Sequence, residues 1–341
     1  MISLDELAEL LADPEALERP VTDGASPLTV VDLTAAAQAP AAKLPAGSPP
    51  TWRVLIGWSA VGFDFPALSQ FDVLLTSDDD RSPGWVHADD PTESVGRIAS
   101  TCRAAPQAAV ALAQLLRLRV HLPLGDALVA ESVTYSMLLA GSEFADWRRR
   151  QNLPPSRPSA EPVVVADDGT TVSIALNRPE VRNAYSAAMR DGLVDILRGL
   201  LAGPTHPPIV LLGNGPVFSS GGDLSEFGTA ADPVTAHAIR ISRSPGLLLD
   251  ALGDVTALVH GPCVGAGVEL PAFCHRVAAR PSTTFRLPEV TMGLLPGAGG
   301  TASLPRRIGR WRTAYLALSG EALSVEAARR WGLVDEIVDE L

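Results

Sequence analysis

Two stretches decide how this chain is read: Gly265-Ala266-Gly267-Val268-Glu269-Leu270, and Pro288-Glu289 followed by Gly293-Leu294-Leu295-Pro296-Gly297-Ala298-Gly299-Gly300-Thr301. In each, glycines and a glutamate frame a short loop that feeds a helix. Such a loop sets backbone N–H groups beside a carboxylate. Paired carboxylates with aimed N–H donors suit proton transfer next to a carbonyl. Glu269 stands three residues past Ala266, about one helical turn, so both face the same side.

The chain has 341 residues, enough for two domains or one domain with a large appendage. It is 46% hydrophobic, so a full core is possible. Lys and Arg number 27 against 39 Asp and Glu, a net charge of −12. No basic stripe of useful length offsets this, which argues against a nucleic-acid partner. Arg148-Arg149-Arg150 and the group Arg306, Arg307, Arg310 and Arg312 read as solvated helix ends. Cys102, Cys263 and Cys274 form neither a CxxC pair nor an even framework, so no disulfide scaffold or metal site is expected and a reducing, cytoplasmic setting fits. No signal peptide is read at the N-terminus, and no stretch approaches the ~20 apolar residues of a membrane span.

Residues 3–12 read as a short acidic helix, and the Ala/Pro-rich 35–50 stretch as a linker. Val54–Trp58 and Phe71–Thr76 read as strands, with Leu28–Leu33 as a third candidate. Asp90-Pro91-Thr92-Glu93 is a helix-capping arrangement. Helices are expected over 91–103, 106–119 and 125–149; Leu128, Tyr135, Leu138 and Leu139 recur at helical spacing and read as a packing face. Residues 151–161 form the clearest linker. Beyond it the rhythm is strand–helix alternation: strands at Val163–Val165, Val172–Leu176, Ile209–Leu212 and Val255–Val259, helices over 184–202, 232–252 and 266–274. That rhythm implies an α/β fold.

From residue 176 onward five ordered motifs accumulate: Leu176-Asn177-Arg178-Pro179 with Asn183-Ala184, Phe218-Ser219-Ser220-Gly221-Gly222-Asp223-Leu224, His260 through Leu270, Phe285 through Gly309, and Trp331-Gly332-Leu333-Val334. In this order the region 162–341 resembles the crotonase superfamily, the enoyl-CoA hydratase/isomerase family. The resemblance implies a spiral of repeated ββα turns, an acyl-CoA thioester substrate, and assembly as a homotrimer or dimer of trimers. It implies no metal and no cofactor, since the CoA moiety is part of the substrate. Glu269 and Glu289 match the catalytic positions, Gly222 and Ala266 the backbone oxyanion hole, and Gly297 a water-positioning N–H. Arg182, Ala184, Ser220, Asp223 and Leu224 match the CoA-binding stretch. Retention of both glutamates favours enoyl-CoA hydration. An isomerase, hydrolase or C–C lyase of the same fold remains open, as does a non-catalytic acyl-CoA-binding or assembly protein. A dinucleotide-binding reading fails for want of a third glycine and a correctly placed acidic residue.

Several positions depart from the family pattern. Ala266 stands where glycine is frequent, Pro271 sits just after Glu269, His275 replaces an acidic residue, and Arg286-Leu287 precede Pro288-Glu289. Arg286 either meets a polar acyl group or points to solvent. Family members usually continue for a few helices past the Gly-Leu-Val segment, whereas residues 91–150, with Glu131 in their third helix, resemble those helices. A rearranged chain is therefore expected, with the helical piece set before the core. Residues 1–90 would then be an extension, a degenerate remnant of a first copy. An unrelated helical N-terminal domain is the alternative; packing of 91–150 on the 162–341 core separates the two.

Overall fold

The computed structural model describes residues 1–38, 52–64, 66–78, 83–153, 155, 159–230 and 232–339. Most of the 35–50 linker, and the centre of the 151–161 linker, lie outside them.

The chain opens with α1 (Leu4–Ala12), held at its start by a Ser3/Glu6 capping box, and α2 (Pro14–Thr22). Then come β1 (Leu28–Asp32), the short α3 (Thr34–Gln38), β2 (Val54–Ser59), β3 (Val73–Thr76) and β4 (Val86–His87). These four strands form one parallel sheet in chain order. Its two faces enter different cores, because side chains alternate along a strand. Leu55 and Leu74 pack with Leu4, Leu7 and Phe71 on the α1 side, while Val54, Ile56, Val73 and Leu75 join the main core.

Four helices follow: α4 (Pro91–Ala104), α5 (Pro106–Arg119), α6 (Leu124–Leu139) and α7 (Ser142–Arg150). Asp90 caps α4 as expected, accepting from Thr92 and Glu93 N–H. The single helix expected over 125–149 is broken at Ala140-Gly141. The break turns Glu143 back onto the start of α5, where its two oxygens accept from the Gln107 and Ala108 N–H groups. Those are the donors a helix N-terminus leaves without internal partners.

The rest of the chain carries β5 (Val163–Asp167), β6 (Val172–Leu176), α8 (Ala187–Ala202), β7 (Ile209–Gly213), α9 (Pro233–Ser242), α10 (Pro245–Leu252), β8 (Val255–Val259), β9 (Pro262–Val264), α11 (Ala266–Glu269), β10 (Arg276–Ala279), β11 (Thr284–Arg286), α12 (Gly300–Ser319), β12 (Leu323–Ser324), α13 (Val325–Trp331) and β13 (Glu336–Ile337). A six-stranded sheet runs β13-β10-β8-β7-β6-β5 and a three-stranded one β12-β11-β9. Successive strands divide between them: β8 enters the large sheet and β9 the small, then β10 the large and β11 the small. Apart from the β5/β6 hairpin and the β11/β12 pair, the pairing is parallel. The fold is α/β, as the alternation implies. Pro245 and Pro271 break two of the expected helices: 232–252 divides into α9 and α10, and 266–274 into α11 and a 3-10 turn at Pro271–Phe273.

The helical segment packs on this core. Helix α12 runs against α4, α5 and α6, and α6 lies along α9. A single continuous apolar core contains Ile98, Leu112 and Leu116 together with Leu294, Leu304 and Leu316. Two arginines of α12 correct the solvated reading, which exposed Arg306 keeps. Arg310 is buried and donates to the Phe71 and Ser69 carbonyls, and Arg307 binds the carbonyls of Ala272, Cys274 and His275. Among the described residues no helix is long and apolar enough to cross a membrane.

Candidate active site

A cavity of about 570 Å³ opens between α6, α9 and the loops that carry the glycine frames. Gly222, Asp223, Ala266, Glu269, Glu289 and Gly297 line it. The structure thus brings together both expected carboxylates and both expected oxyanion donors.

The donors are placed by irregular backbone. Buried Asn183 anchors the first loop: it accepts from the Arg178 N–H and donates to the Asn214 and Val217 carbonyls. Tyr185 N–H then donates to Gly221, and Asp223 N–H to Tyr185, which fixes Gly222 between them. The second loop turns at Gly265, with φ of 49°, so α11 starts at Ala266. Positive φ therefore falls on glycine, and Ala266 needs no left-handed backbone. Among the described residues neither the Gly222 nor the Ala266 N–H donates a hydrogen bond.

The carboxylates are held differently. Glu269 Oε2 accepts from the Ala298 and Gly300 N–H groups, both at 2.8 Å, while its Oε1 accepts from no described residue. Glu289 opens a 3-10 turn over Glu289–Met292 and lies tight against the other frame: a Cβ at Gly265 would sit 2.3 Å from its Oε1. Glu289 Oε2 is buried and has no hydrogen-bond partner among the described residues. Burial lifts both acids. Glu269 is raised well above its ordinary value by burial first and then by Glu289 and Glu131. Burial raises Glu289 to about 7. The expected water-positioning Gly297 lines the cavity, but the N–H groups that grip Glu269 belong to Ala298 and Gly300.

A third carboxylate, read only as part of a family-like helix, completes the site. Glu131 of α6 is buried and accepts from Gly299 N–H at 2.8 Å, Thr301 N–H at 2.9 Å and Thr301 Oγ1 at 2.7 Å. Burial raises it to about 7, against the pull of those three donors. Glu131 and Glu269 therefore grip alternate amides of one turn, 298–301, at the start of α12. Tyr135, one helical turn further along α6, packs its ring against Gly297, where a Cβ would come within 2.3 Å of it. The packing face expected over 125–149 is thus also a wall of the cavity. Only a partner for α6 reveals this; its sequence spacing looks like ordinary core.

Of the residues expected to hold CoA, Asp223 lines the cavity and pairs with buried Arg178 at 3.0 Å. Arg182, Ala184, Ser220 and Leu224 are not among the lining residues. Arg182 is exposed in a left-handed conformation, and its carbonyl accepts from the Ser220 N–H. Arg286 is exposed and donates to the Gly320 carbonyl, which settles its two expectations in favour of solvent. Among the described residues no cluster of side chains could hold a metal ion.

Residues 167–340 match the model of the enoyl-CoA hydratase/isomerase family. The chain belongs to that family. Its curated relatives include the 2,3-dehydroadipyl-CoA hydratase of Escherichia coli, 34% identical over 178 residues, 51% of this chain and 68% of that one. They also include a mevalonyl-coenzyme A hydratase of Aspergillus fumigatus, 35% identical over 171 residues, 49% of this chain and 62% of that one. Among solved structures, the enoyl-CoA hydratase of Thermoplasma volcanium is 33% identical, with 52% of this chain and 72% of that one covered and a TM-score of 0.48. Residues 1–166, Glu131 and Tyr135 among them, fall outside the family match.

Proposed function

We propose that this protein is an enoyl-CoA hydratase that adds water across the 2,3 double bond of an enoyl-CoA thioester. One observation carries the reading: two buried carboxyls and two backbone N–H groups without partners face the same cavity. The thioester carbonyl oxygen would accept from Gly222 and Ala266 N–H. Ala266 opens α11, but that helix is a single turn, so the amide itself does most of the work. Glu269, with Oε2 anchored and Oε1 unclaimed, would take a proton from the attacking water. The water oxygen bonds to the β-carbon, the π electrons move toward the carbonyl oxygen, and the two amides hold the enolate charge. The Ala298 and Gly300 N–H groups favour the ionised form of Glu269 against the pull of burial, and Glu289, which has no amide on its Oε2 and which burial raises to about 7, then delivers a proton to the α-carbon. Losing one oxyanion donor costs roughly 3–4 kcal/mol in well-studied sites, so the amide pair is as important as the acids.

The helical segment 91–150 is read as the counterpart of the helices that family members carry after the core, placed before it in this chain. Its packing on α12 and the Glu131 contacts support that reading over an unrelated domain. A remnant origin for residues 1–90, trimeric assembly and a cytoplasmic setting rest on the resemblance and the cysteine usage.

The test is loss of the conjugated thioester absorbance with crotonyl-CoA and longer or aromatic enoyl-CoAs, alongside Glu269→Gln and Glu289→Gln. Turnover in the parent and a loss of at least roughly a hundredfold in each variant is expected. Migration of the double bond without hydration would make the protein an isomerase. Tight binding of CoA esters with no chemistry on any of them would make it a binder.

A further inference from the structure

Arg240 of α9 lines the cavity in a setting that the hydratase chemistry does not use. Its Nε donates to Ser132 Oγ at 3.0 Å, and its Nη2 donates to the Ser132 carbonyl at 3.1 Å and to Ser136 Oγ. The guanidinium lies 4.8 Å from the centroid of the Tyr135 ring. All of these partners are neutral. The other two cavity arginines are neutralised: Arg190 pairs with Asp191, and Arg243 with Asp191 and Asp195. Among the described residues no carboxylate comes within ion-pairing distance of Arg240, and its Nη1 makes no hydrogen bond. The nearby acid, Glu131, spends its oxygens on Gly299 and Thr301.

A half-buried guanidinium with no carboxylate in ion-pairing reach is costly; Glu131 offsets part of that cost through space, and a ligand carboxylate in contact would offset more. Two hydroxyls, a carbonyl and an aromatic face fix its plane and leave the N–H groups of Nη1 to receive a carboxylate oxygen. Its position says which part of a ligand arrives there. Tyr135, under Arg240, packs on Gly297, and the next residue but one along that turn is held by Glu131, while Ala298 between them holds Glu269. Arg240 is therefore linked to the reacting centre through the Tyr135 ring and the 297–300 turn. In an acyl-CoA the phosphates are separated from the thioester by the long pantetheine arm. Leu128, Leu139 and Ile239 on the same cavity wall suit the methylenes between the double bond and a terminal group.

We infer that Arg240 selects enoyl thioesters whose acyl chain ends in a carboxylate, as in the CoA half-ester of an unsaturated diacid. The inference rests on the hydratase reading for its substrate class, and on the cavity geometry alone for the recognition. Arg240 is a specificity-determining residue in this account and takes no part in the proton transfers.

The test compares 2-hexenedioyl-CoA with 2-hexenoyl-CoA, which differ only in a terminal carboxylate against a methyl. The ratio of their kcat/KM values is measured for the parent, Arg240→Gln and Arg240→Lys. The parent is expected to favour the diacid ester, Arg240→Gln to lower the ratio by roughly ten- to hundredfold, the strength of a charge-assisted contact, and Arg240→Lys to restore part of it. A parent with no preference for the diacid ester overturns the inference. So does an equal loss on both esters, which would place Arg240 on the shared CoA portion or in the scaffold. The dissociation constants of the saturated pair, adipyl-CoA and hexanoyl-CoA, give the same ratio without chemistry. If no enoyl ester turns over but adipyl-CoA binds more tightly through Arg240, the hydratase reading fails and the recognition stands.

Discussion

Two regions of one molecule supply the same residue type to one cavity in opposite ways. The core, residues 163–338, presents Glu269 and Glu289 from short, glycine-bent turns. The helical segment, residues 91–150, presents Glu131 from the middle of the regular helix α6. The core glutamates keep an oxygen unclaimed, whereas Glu131 has three donors on its two oxygens. A carboxylate with free lone pairs is equipped for chemistry. One saturated by backbone amides is equipped to hold a turn in place. On the hydratase reading, the difference divides the site into a reacting half and a clamping half, built by separate parts of the chain.

The sharpest way to break that contrast is to remove the clamp. Glu131→Ala strands two backbone donors and a hydroxyl in a buried site, so a loss of about 3–5 kcal/mol in unfolding free energy is expected. Urea denaturation measures it. A loss within about 0.5 kcal/mol would mean that the 298–301 turn holds itself.

On the reacting side, Gly265→Ala puts a Cβ against Glu289 Oε1 and onto a backbone with φ of 49°. Turnover should fall roughly ten- to hundredfold, since misplacing a reacting group by about an ångström costs that much. Steady-state kinetics should show the loss in kcat more than in KM. A larger effect on thermal stability than on kcat would place the glycine in the scaffold alone.

Both halves share one titration signature. Glu131, Glu269 and Glu289 have folded-state values raised above the ordinary 4.5, two of them to about 7. A raised carboxyl binds its proton more tightly in the folded chain. Its stabilising contribution is complete below pH 4.5 and is lost as pH rises toward 7. Stability should therefore fall between pH 5 and 7, the window set by Glu131 and Glu289. Thermal melts across that window check the sign, and Glu131→Gln should flatten the slope. A midpoint that rises with pH there would show that the acids are ionised when folded.

The smallest effect is expected where the sequence raised suspicion and the structure removed it. Arg286→Ala, at an exposed side chain bonded to the Gly320 carbonyl, should change stability by less than about 0.5 kcal/mol and leave the enoyl-ester specificity ratio as in the parent. A changed ratio would move the acyl end of the cavity to the far side of β11.

The contrast also explains what could be read in advance. That Glu269, Glu289, Gly222 and Ala266 share one cavity was legible because sharply bent backbone needs glycine at fixed places, and glycine punctuates a sequence. The strands β6, β7 and β8 were legible as apolar runs. Strands β9 to β13 are two to four residues long, too short to show alternation. Glu131 and Tyr135 were hidden because a regular helix face looks the same whether it covers core or cavity. Arg310 looks solvated in the sequence for a related reason: its carbonyl partners, Phe71 and Ser69, lie far away in the chain, and no local pattern announces them.

The claim that the two halves divide the work is tested most directly by kcat/KM against pH for Glu131→Gln, Glu269→Gln and Glu289→Gln on one enoyl-CoA. The account predicts that both core variants lose roughly a hundredfold or more at every pH. Glu131→Gln should keep a measurable rate with a shifted acid limb, because it only holds the turn that positions Glu269. A Glu131→Gln variant as inactive as the other two while still folded and binding substrate, or a core variant that keeps its rate, would contradict the division.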